Sequence, residues 1–237
     1  EPQVEGEGGE GYLYIFEGTG TSFSEVYQSS NIDAALGITI AELDGSTYPE
    51  IGLATGYLEV IDPTAGTSEL HGNARVYGYS GSVYRSEWDS DDLDQIAGGI
   101  ASGDLGGSND YLVVGTGGDS RDPDNGEPGE VIVYKSGGGT SYTTDGSTID
   151  SERYNAYGIA VGDVDNDGET EIAVGTGSFG DSKPTMTVYE GSSHSVEYSK
   201  TVDTSSIWGV AIDDFDSDGF VELIYGTSGG EIFLYNK

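Results

Sequence analysis

The stretch Asp163-Val-Asp165-Asn-Asp167-Gly168-Glu169-Thr-Glu171 decides how this chain is read. A second stretch, Asp214-Phe-Asp216-Ser-Asp218-Gly219-Phe220-Val-Glu222, has the same residue types at positions 1, 3, 5, 6 and 9. Carboxylates at positions 1, 3, 5 and 9 can turn inward onto one hard cation. The glycine at position 6 permits the sharp bend between them, and the carbonyl of position 7, Glu169 or Phe220, supplies a further oxygen. Hard oxygen ligands in this number point to Ca²⁺ in at least two structural sites.

The first six residues also fit the opening of an EF-hand, which requires a bidentate Glu at position 12. Counting from Asp163 reaches Val174, and from Asp214 reaches Tyr225, and neither chelates. The flanks are wrong for helices as well. Ile159-Ala-Val161 enters the first loop and Ile172-Ala-Val174-Gly175 leaves it. Short, β-branched, glycine-bounded runs of this kind read as buried strands, so each loop is expected to join two strands. The bland alternative is a solvated acidic turn, but the same five-position match in two places argues against chance.

The frame around the loops recurs four times. Gly37, Gly99, Gly158 and Gly209 open it, at spacings of 62, 59 and 51 residues. Five residues after each stands an acid: Glu42, Asp104, Asp163 and Asp214. A second apolar run then ends in a small-residue turn: Leu53-Ala-Thr-Gly56, Val114-Gly-Thr-Gly117, Val174-Gly-Thr-Gly177 and Tyr225-Gly-Thr-Ser228. A third strand follows as Arg75–Tyr79, Glu130–Tyr134, Thr185–Tyr189 and Glu231–Tyr235, and a more polar fourth as in Ser82–Ser86 and Ser195–Tyr198. Tyr12–Phe16 reads as a third-type strand and Ser22–Val26 as a fourth-type one. Four antiparallel strands per unit, running from apolar to polar, are the layout of a propeller blade. Sustained helical periodicity is missing, and 40 of 237 residues are Gly. The expectation is an all-β propeller of four-stranded antiparallel blades, with about four blades visible, closed or part of a larger ring. Residues 1–10 form an acidic linker. Residues 11–237 form the propeller, as a half-unit over 11–36 and repeats starting near 37, 99, 158 and 209.

With these motifs, the chain resembles the FG-GAP repeat family, the type found in the integrin α-subunit propeller. The aromatic–glycine pair of that family stands here as Tyr157-Gly158 and Trp208-Gly209, with Leu36-Gly37 and Gly98-Gly99 as degenerate versions. The Gly-Ala-Pro turn of the family stands as Gly175-Thr-Gly177 and Gly226-Thr-Ser228, with the proline lost. The resemblance implies calcium loops between first and second strands on a lower face. It places partner-binding loops on an upper face. It also implies an extracellular or cell-surface location, and adhesion, recognition or structural assembly as the function. Carried over by position, the first repeat's loop would use Glu42, Asp44, Ser46 and Glu50, although Thr47 replaces the bend glycine. The second, Asp104-Leu-Gly-Gly-Ser-Asn-Asp110, has lost most of its charge and is expected to be a plain turn.

Composition narrows the partners. Eight Lys and Arg against 43 Asp and Glu leave a formal net charge of −35, with the acids spread along the whole chain in the manner of halophilic proteins. The absence of basic clusters disfavours nucleic acid and anionic membrane surfaces. No apolar run approaches the length of a membrane span, and no cysteine is present for disulfides or thiolate metal sites. His71 and His194 lie in different repeats and neither adjoins a nucleophile motif, so the chain is expected to be non-catalytic. The alternative is the propeller domain of a secreted polysaccharide-degrading enzyme, a lyase or glycosidase. Partners are expected to be a protein or a carbohydrate at the loop face, or further copies of the chain. The acidic loop Gly118–Gly129, the stretch Asp62–Ala74, and Arg153, Tyr154, Tyr157 and Trp208 are the candidates there. Tyr157 and Trp208 are more simply read as filling between blades.

Overall fold

The computed structural model describes residues 10–62, 67–117, 128–146, 148–150, 155–177, 183–202 and 206–235. Every regular element among them is a strand. The first blade comprises β3 (Ala34–Ala41), β4 (Glu50–Asp62), β5 (Thr67–Tyr79) and β6 (Tyr84–Asp89), hydrogen-bonded in chain order. The second comprises β7 (Ile96–Gly103), β8 (Tyr111–Gly117), β9 (Glu130–Gly138) and β10 (Ser141–Thr144), with β11 (Ile149–Asp150) also pairing with β9. The third is β12 (Asn155–Gly162), β13 (Glu171–Gly177), β14 (Thr185–Glu190) and β15 (Val196–Thr201). The last is β16 (Ile207–Asp213), β17 (Glu222–Thr227) and β18 (Ile232–Tyr235). Ahead of them, β1 (Tyr14–Thr19) and β2 (Ser22–Gln28) form a separate two-stranded sheet. This is a β-propeller of four antiparallel blades preceded by half a blade, as the repeats imply.

The core lies between blades rather than within any one. Val131 and Val133 of the second blade bury themselves with Ile159, Ile172 and Val174 of the third. Met186 and Val188 of the third pack with Ile207, Leu223 and Tyr225 of the fourth. Alternation along each strand sends one set of side chains to the preceding blade and the other to the following one. The middle strands are therefore apolar on both faces, which is why they read as continuous runs. The seams are too tight for side chains at certain positions. A Cβ added at Gly115 would lie 1.8 Å from the Ala156 carbonyl oxygen, and one at Gly175 would lie 2.3 Å from Ile207 Cγ2.

Each first strand carries a β-bulge at the residue before the frame glycine: Leu36, Gly98, Tyr157 and Trp208 are skipped by the register with the second strand. A bulge re-aims its side chain out of the ladder. Here it turns the Tyr157 ring over Gly98 of the preceding blade, and brings Trp208 to 5.5 Å from Tyr157. Filling between blades holds for Tyr157, whereas Trp208 is 54% exposed, with no strand of the described residues over its other side.

Two boundaries differ from those read in the sequence. The Gly-Thr-Gly segments do not turn but complete β8 and β13. Their threonines are buried, and the Thr116 and Thr176 hydroxyls accept the backbone N–H of Glu130 (2.9 Å) and Thr185 (2.8 Å) at the start of each third strand. The stretch after Asp62 is not a loop throughout. Pairing of β4 with β5 continues from Gly56↔Gly72 to Asp62↔Thr67, making a two-stranded ribbon that runs beyond the blade. Alternating Tyr57, Glu59 and Ile61 carries the strand pattern on, which the apparent interruption of the repeat concealed. Residues 118–127, Arg153 and Tyr154, candidates for the loop face, lie outside the described residues.

Candidate metal centre

The loop from Asp163 to Glu171 joins β12 to β13, and that from Asp214 to Glu222 joins β16 to β17. Their internal geometry is nearly identical. Asp163 Oδ1 accepts the Asp167 N–H (3.0 Å) and its Oδ2 that of Gly168 (3.1 Å). Asp214 does the same for Asp218 (3.1 Å) and Gly219 (3.0 Å). Asp165 and Asp216 each accept the N–H two residues on, at 3.1 Å. Asp167 and Asp218 accept the N–H of Glu169 and Phe220, both at 2.9 Å. Left-handed backbone is needed twice in each loop, at Asn166 (φ 60°) and Gly168 (φ 94°), and at Ser217 (φ 62°) and Gly219 (φ 92°). Position 6 takes glycine because a Cβ is strained there. Position 4 was not recognised in the sequence as a second such point.

Asp163, Asp165 and Asp167 each present a carboxylate oxygen within 4.8 Å of the others, as do Asp214, Asp216 and Asp218. Calcium takes oxygens at about 2.3–2.6 Å, so two ligands across one ion stand no farther apart than about 5 Å. Glu171 and Glu222, at position 9, are 1% exposed. Their Oε2 atoms accept the N–H of position 2, Val164 (2.7 Å) and Phe215 (2.9 Å). Glu222 Oε1 is buried with no hydrogen-bond partner. A buried carboxylate oxygen without a partner is costly, and a cation is a partner that would remove that cost. The residues therefore fit a hard divalent cation. The side chains of Glu169 and Phe220 are exposed, and the oxygen that both loops can offer at position 7 is the backbone carbonyl.

Residues 155–192, which span β12, the loop, β13 and β14, match the family model of the FG-GAP repeat. The chain carries an FG-GAP repeat as the third blade of a β-propeller. No curated protein matches it.

The first two loops of the propeller diverge from the pattern in different ways. In the first, Glu50 is again 1% exposed, and its Oε2 accepts the N–H of Leu43 (2.8 Å) and Asp44 (3.2 Å). Ser46 Oγ donates to Glu50 Oε1 at 2.9 Å, filling the place that stays orphaned in Glu222. Gly45 (φ 77°) supplies the left-handed point at position 4, so Thr47 at position 6 is tolerated. Glu42 does not join the cluster; its backbone N–H donates instead to Asp110 of the second loop (3.3 Å). In the second loop Asp104 Oδ1 accepts the N–H of Gly106 (2.8 Å) and Gly107 (3.1 Å). That is a side-chain-capped turn, and no acidic cluster forms there among the described residues.

Three acids were missed. Glu171 gathers with Glu190 and Glu197, and Asp44 and Glu50 gather with Glu87. Glu87 and Glu197 occupy the same place: each is skipped by a bulge where the fourth strand pairs with the third. The bulge turns an outer-strand glutamate inward toward the loop, and the strand pattern alone gave no sign of it. Burial and the nearby charges of Glu197, Asp165 and Asp163, opposed by the Val164 N–H, leave the Glu171 carboxyl pushed up to about 7. Burial together with the charges of Glu190, Asp165 and Asp167 raises Glu197 too.

On the opposite face, His71 of the ribbon lies between two carboxylates. Its Nδ1 hydrogen-bonds Asp92 in the connection between β6 and β7, and its Nε2 stands 3.2 Å from Glu59. Tyr57 stacks on the imidazole at 4.8 Å. The Asp92 hydrogen bond, opposed by desolvation and aided by the charges of Asp92 and Glu59, raises the histidine's pKa. His71 is thus a structural clamp holding the ribbon to the blade.

Proposed function

We propose that this FG-GAP propeller is a calcium-stabilised, non-catalytic module that works outside the cell, in recognition or structural assembly at a cell surface. The observation that carries the proposal is the pair of near-identical acidic loops, one of which keeps an orphaned buried carboxylate oxygen at Glu222. FG-GAP repeats commonly bind calcium, and the carboxylate clusters suit calcium at extracellular concentrations better than any metal that prefers nitrogen or sulfur. Asp163, Asp165, Asp167 and Glu171, with the Glu169 carbonyl, would hold one ion. Asp214, Asp216, Asp218 and Glu222, with the Phe220 carbonyl, would hold the other. What calcium supplies is charge neutralisation across a hairpin that otherwise concentrates repelling carboxylates, and so coupling of ion binding to folding.

The recognition role falls to the face opposite the loops. There the ribbon of β4 and β5 projects past the blade, pinned by His71 and carrying Tyr57 and Glu59. An aromatic-bearing projection on a repeat scaffold is a suitable contact element for a protein or carbohydrate. No helix among the described residues is long and apolar enough to cross a membrane. The test is binding of the purified chain to immobilised polysaccharides and surface proteins, with calcium and with chelator, alongside an assay for new sugar ends. Calcium-dependent binding that Tyr57→Ala weakens, without turnover, is the expected result. Sustained release of sugar ends would overturn it.

A further inference from the structure

The two acidic loops touch through a side chain. Asn166, at position 4 of the loop from Asp163 to Glu171, accepts the backbone N–H of Val221 through Oδ1 at 3.1 Å. Val221 is position 8 of the loop from Asp214 to Glu222, 55 residues further along the chain. Its N–H belongs to the same peptide unit as the carbonyl of Phe220, the position 7 oxygen. A peptide unit is planar, so holding the N–H fixes the direction of the carbonyl on its other side. A hydrogen bond to the N–H also polarises that carbonyl and makes it a stronger ligand. The other donors of the second loop flank the same peptide. The Phe220 N–H donates to Asp218 Oδ1 at 2.9 Å, and Glu222, the residue after Val221, carries the buried oxygen without a partner.

In its own loop Asn166 stands between Asp165 and Asp167, two members of the first carboxylate cluster. Ligation of that cluster holds the backbone on both sides of it. The left-handed conformation does not by itself call for asparagine, since Gly45 meets the same need in the first loop and Ser217 in the last. The Asn166 Nδ2 is buried with no partner, a cost that the bond made by Oδ1 has to offset. The first and second loops touch in another way. There the N–H of Asp110, which precedes β8 as Val221 precedes β17, is taken by the Glu42 backbone carbonyl at 3.0 Å. The second loop holds no acidic cluster among the described residues. Where both loops carry a cluster, the contact passes instead through a side chain set between two candidate ligands.

We infer that Asn166 couples the two calcium sites, so that filling one loop raises the affinity of the other. The inference rests on the calcium reading of both loops. Ordering the run from Asp163 to Asp167 fixes the Asn166 amide, and the fixed amide sets the Val221 peptide. The second site then binds with part of its ordering cost already met. Linkage makes the effect reciprocal, so the second loop raises the affinity of the first by the same factor. The sign of the effect separates it from plain electrostatics. Two cations in neighbouring loops repel, so sites joined only through their charges bind the second ion no better than the first. Asn166 is a positioning residue in this scheme, acting through the Val221 peptide rather than as a ligand.

Titration calorimetry of the metal-stripped chain with CaCl₂ tests the inference, with circular dichroism confirming that each variant is folded. The wild type is expected to fill the two loops along a curve steeper than that of independent sites, the second ion binding about fivefold or more tightly for the presence of the first. Asn166→Gly keeps the left-handed backbone and removes the acceptor. It should still bind both ions, with the steepness gone. Asn166→Asp retains an acceptor for the Val221 N–H and should restore the steepness. Asp165→Ala and Asp216→Ala each leave one loop whole, and each should bind its remaining ion about fivefold more weakly than the wild type binds its second. Independent binding by the wild type, or a steep curve that persists in Asn166→Gly, would overturn the coupling and leave the calcium reading standing. A wild-type chain that binds no calcium would overturn both.

Discussion

Glu222 shows most clearly what the loop asks of its surroundings. Its Oε2 is held by the Phe215 N–H, while its Oε1 is buried without a partner, a state that costs roughly 1–3 kcal/mol when nothing compensates. In the first blade the Ser46 hydroxyl stands 2.9 Å from the equivalent oxygen, so that oxygen is not left without a partner. Replacing Asp165 and Asp216 by Ala together is expected to remove most of the rise in melting temperature that calcium gives, as measured by thermal scans with calcium and with chelator. His71 allows a separate prediction. Its pKa is raised above 6.5 in the fold, chiefly by Asp92, so the stability it adds is fully present below about pH 6.5 and is lost as pH rises through the raised value. His71→Gln is expected to flatten that part of the stability profile across about pH 5–9, with thermal melts as the readout. The ligand positions were legible because carboxylate spacing is a property of the chain. Glu87, Glu190 and Glu197 were not, because they approach the loops only through the pairing of distant strands, and in two of the three cases through a bulge.

Strands and seams were legible to different degrees. The glycine frame placed all four blades, since apolar runs, loops and small residues recur in fixed order. The ribbon after Tyr57 was hidden because it breaks the repeat, although its own alternation marks it as strand. The seam chemistry was also hidden: a glycine read as punctuation proves to be space reserved for the next blade. That distinction predicts opposite outcomes for one substitution. Gly115→Ala puts a methyl 1.8 Å from the Ala156 carbonyl oxygen, a contact with backbone that cannot rotate away. It should cost about 2 kcal/mol or more of unfolding free energy in a denaturant titration. Gly226→Ala, with nothing within 4 Å, should leave the monomer unchanged or slightly more stable.

At the scale of the whole molecule, 43 acids against 8 bases set the conditions under which the propeller holds. The carboxylates that crowd the two loops are the local form of a repulsion spread over the entire surface. Screening relieves the second and bound cations the first. Melting temperature is therefore expected to rise from about 0.1 M to 3 M NaCl, with calcium adding a further increment at every salt concentration. The measurement that bears most directly on this account is the number of calcium ions retained per chain by metal-stripped protein after equilibration and gel filtration, read by atomic emission. The account predicts at least two equivalents in the wild type, with Asp165→Ala and Asp216→Ala each removing one. A wild-type chain that retains none, and melts at the same temperature in calcium as in chelator, would contradict it.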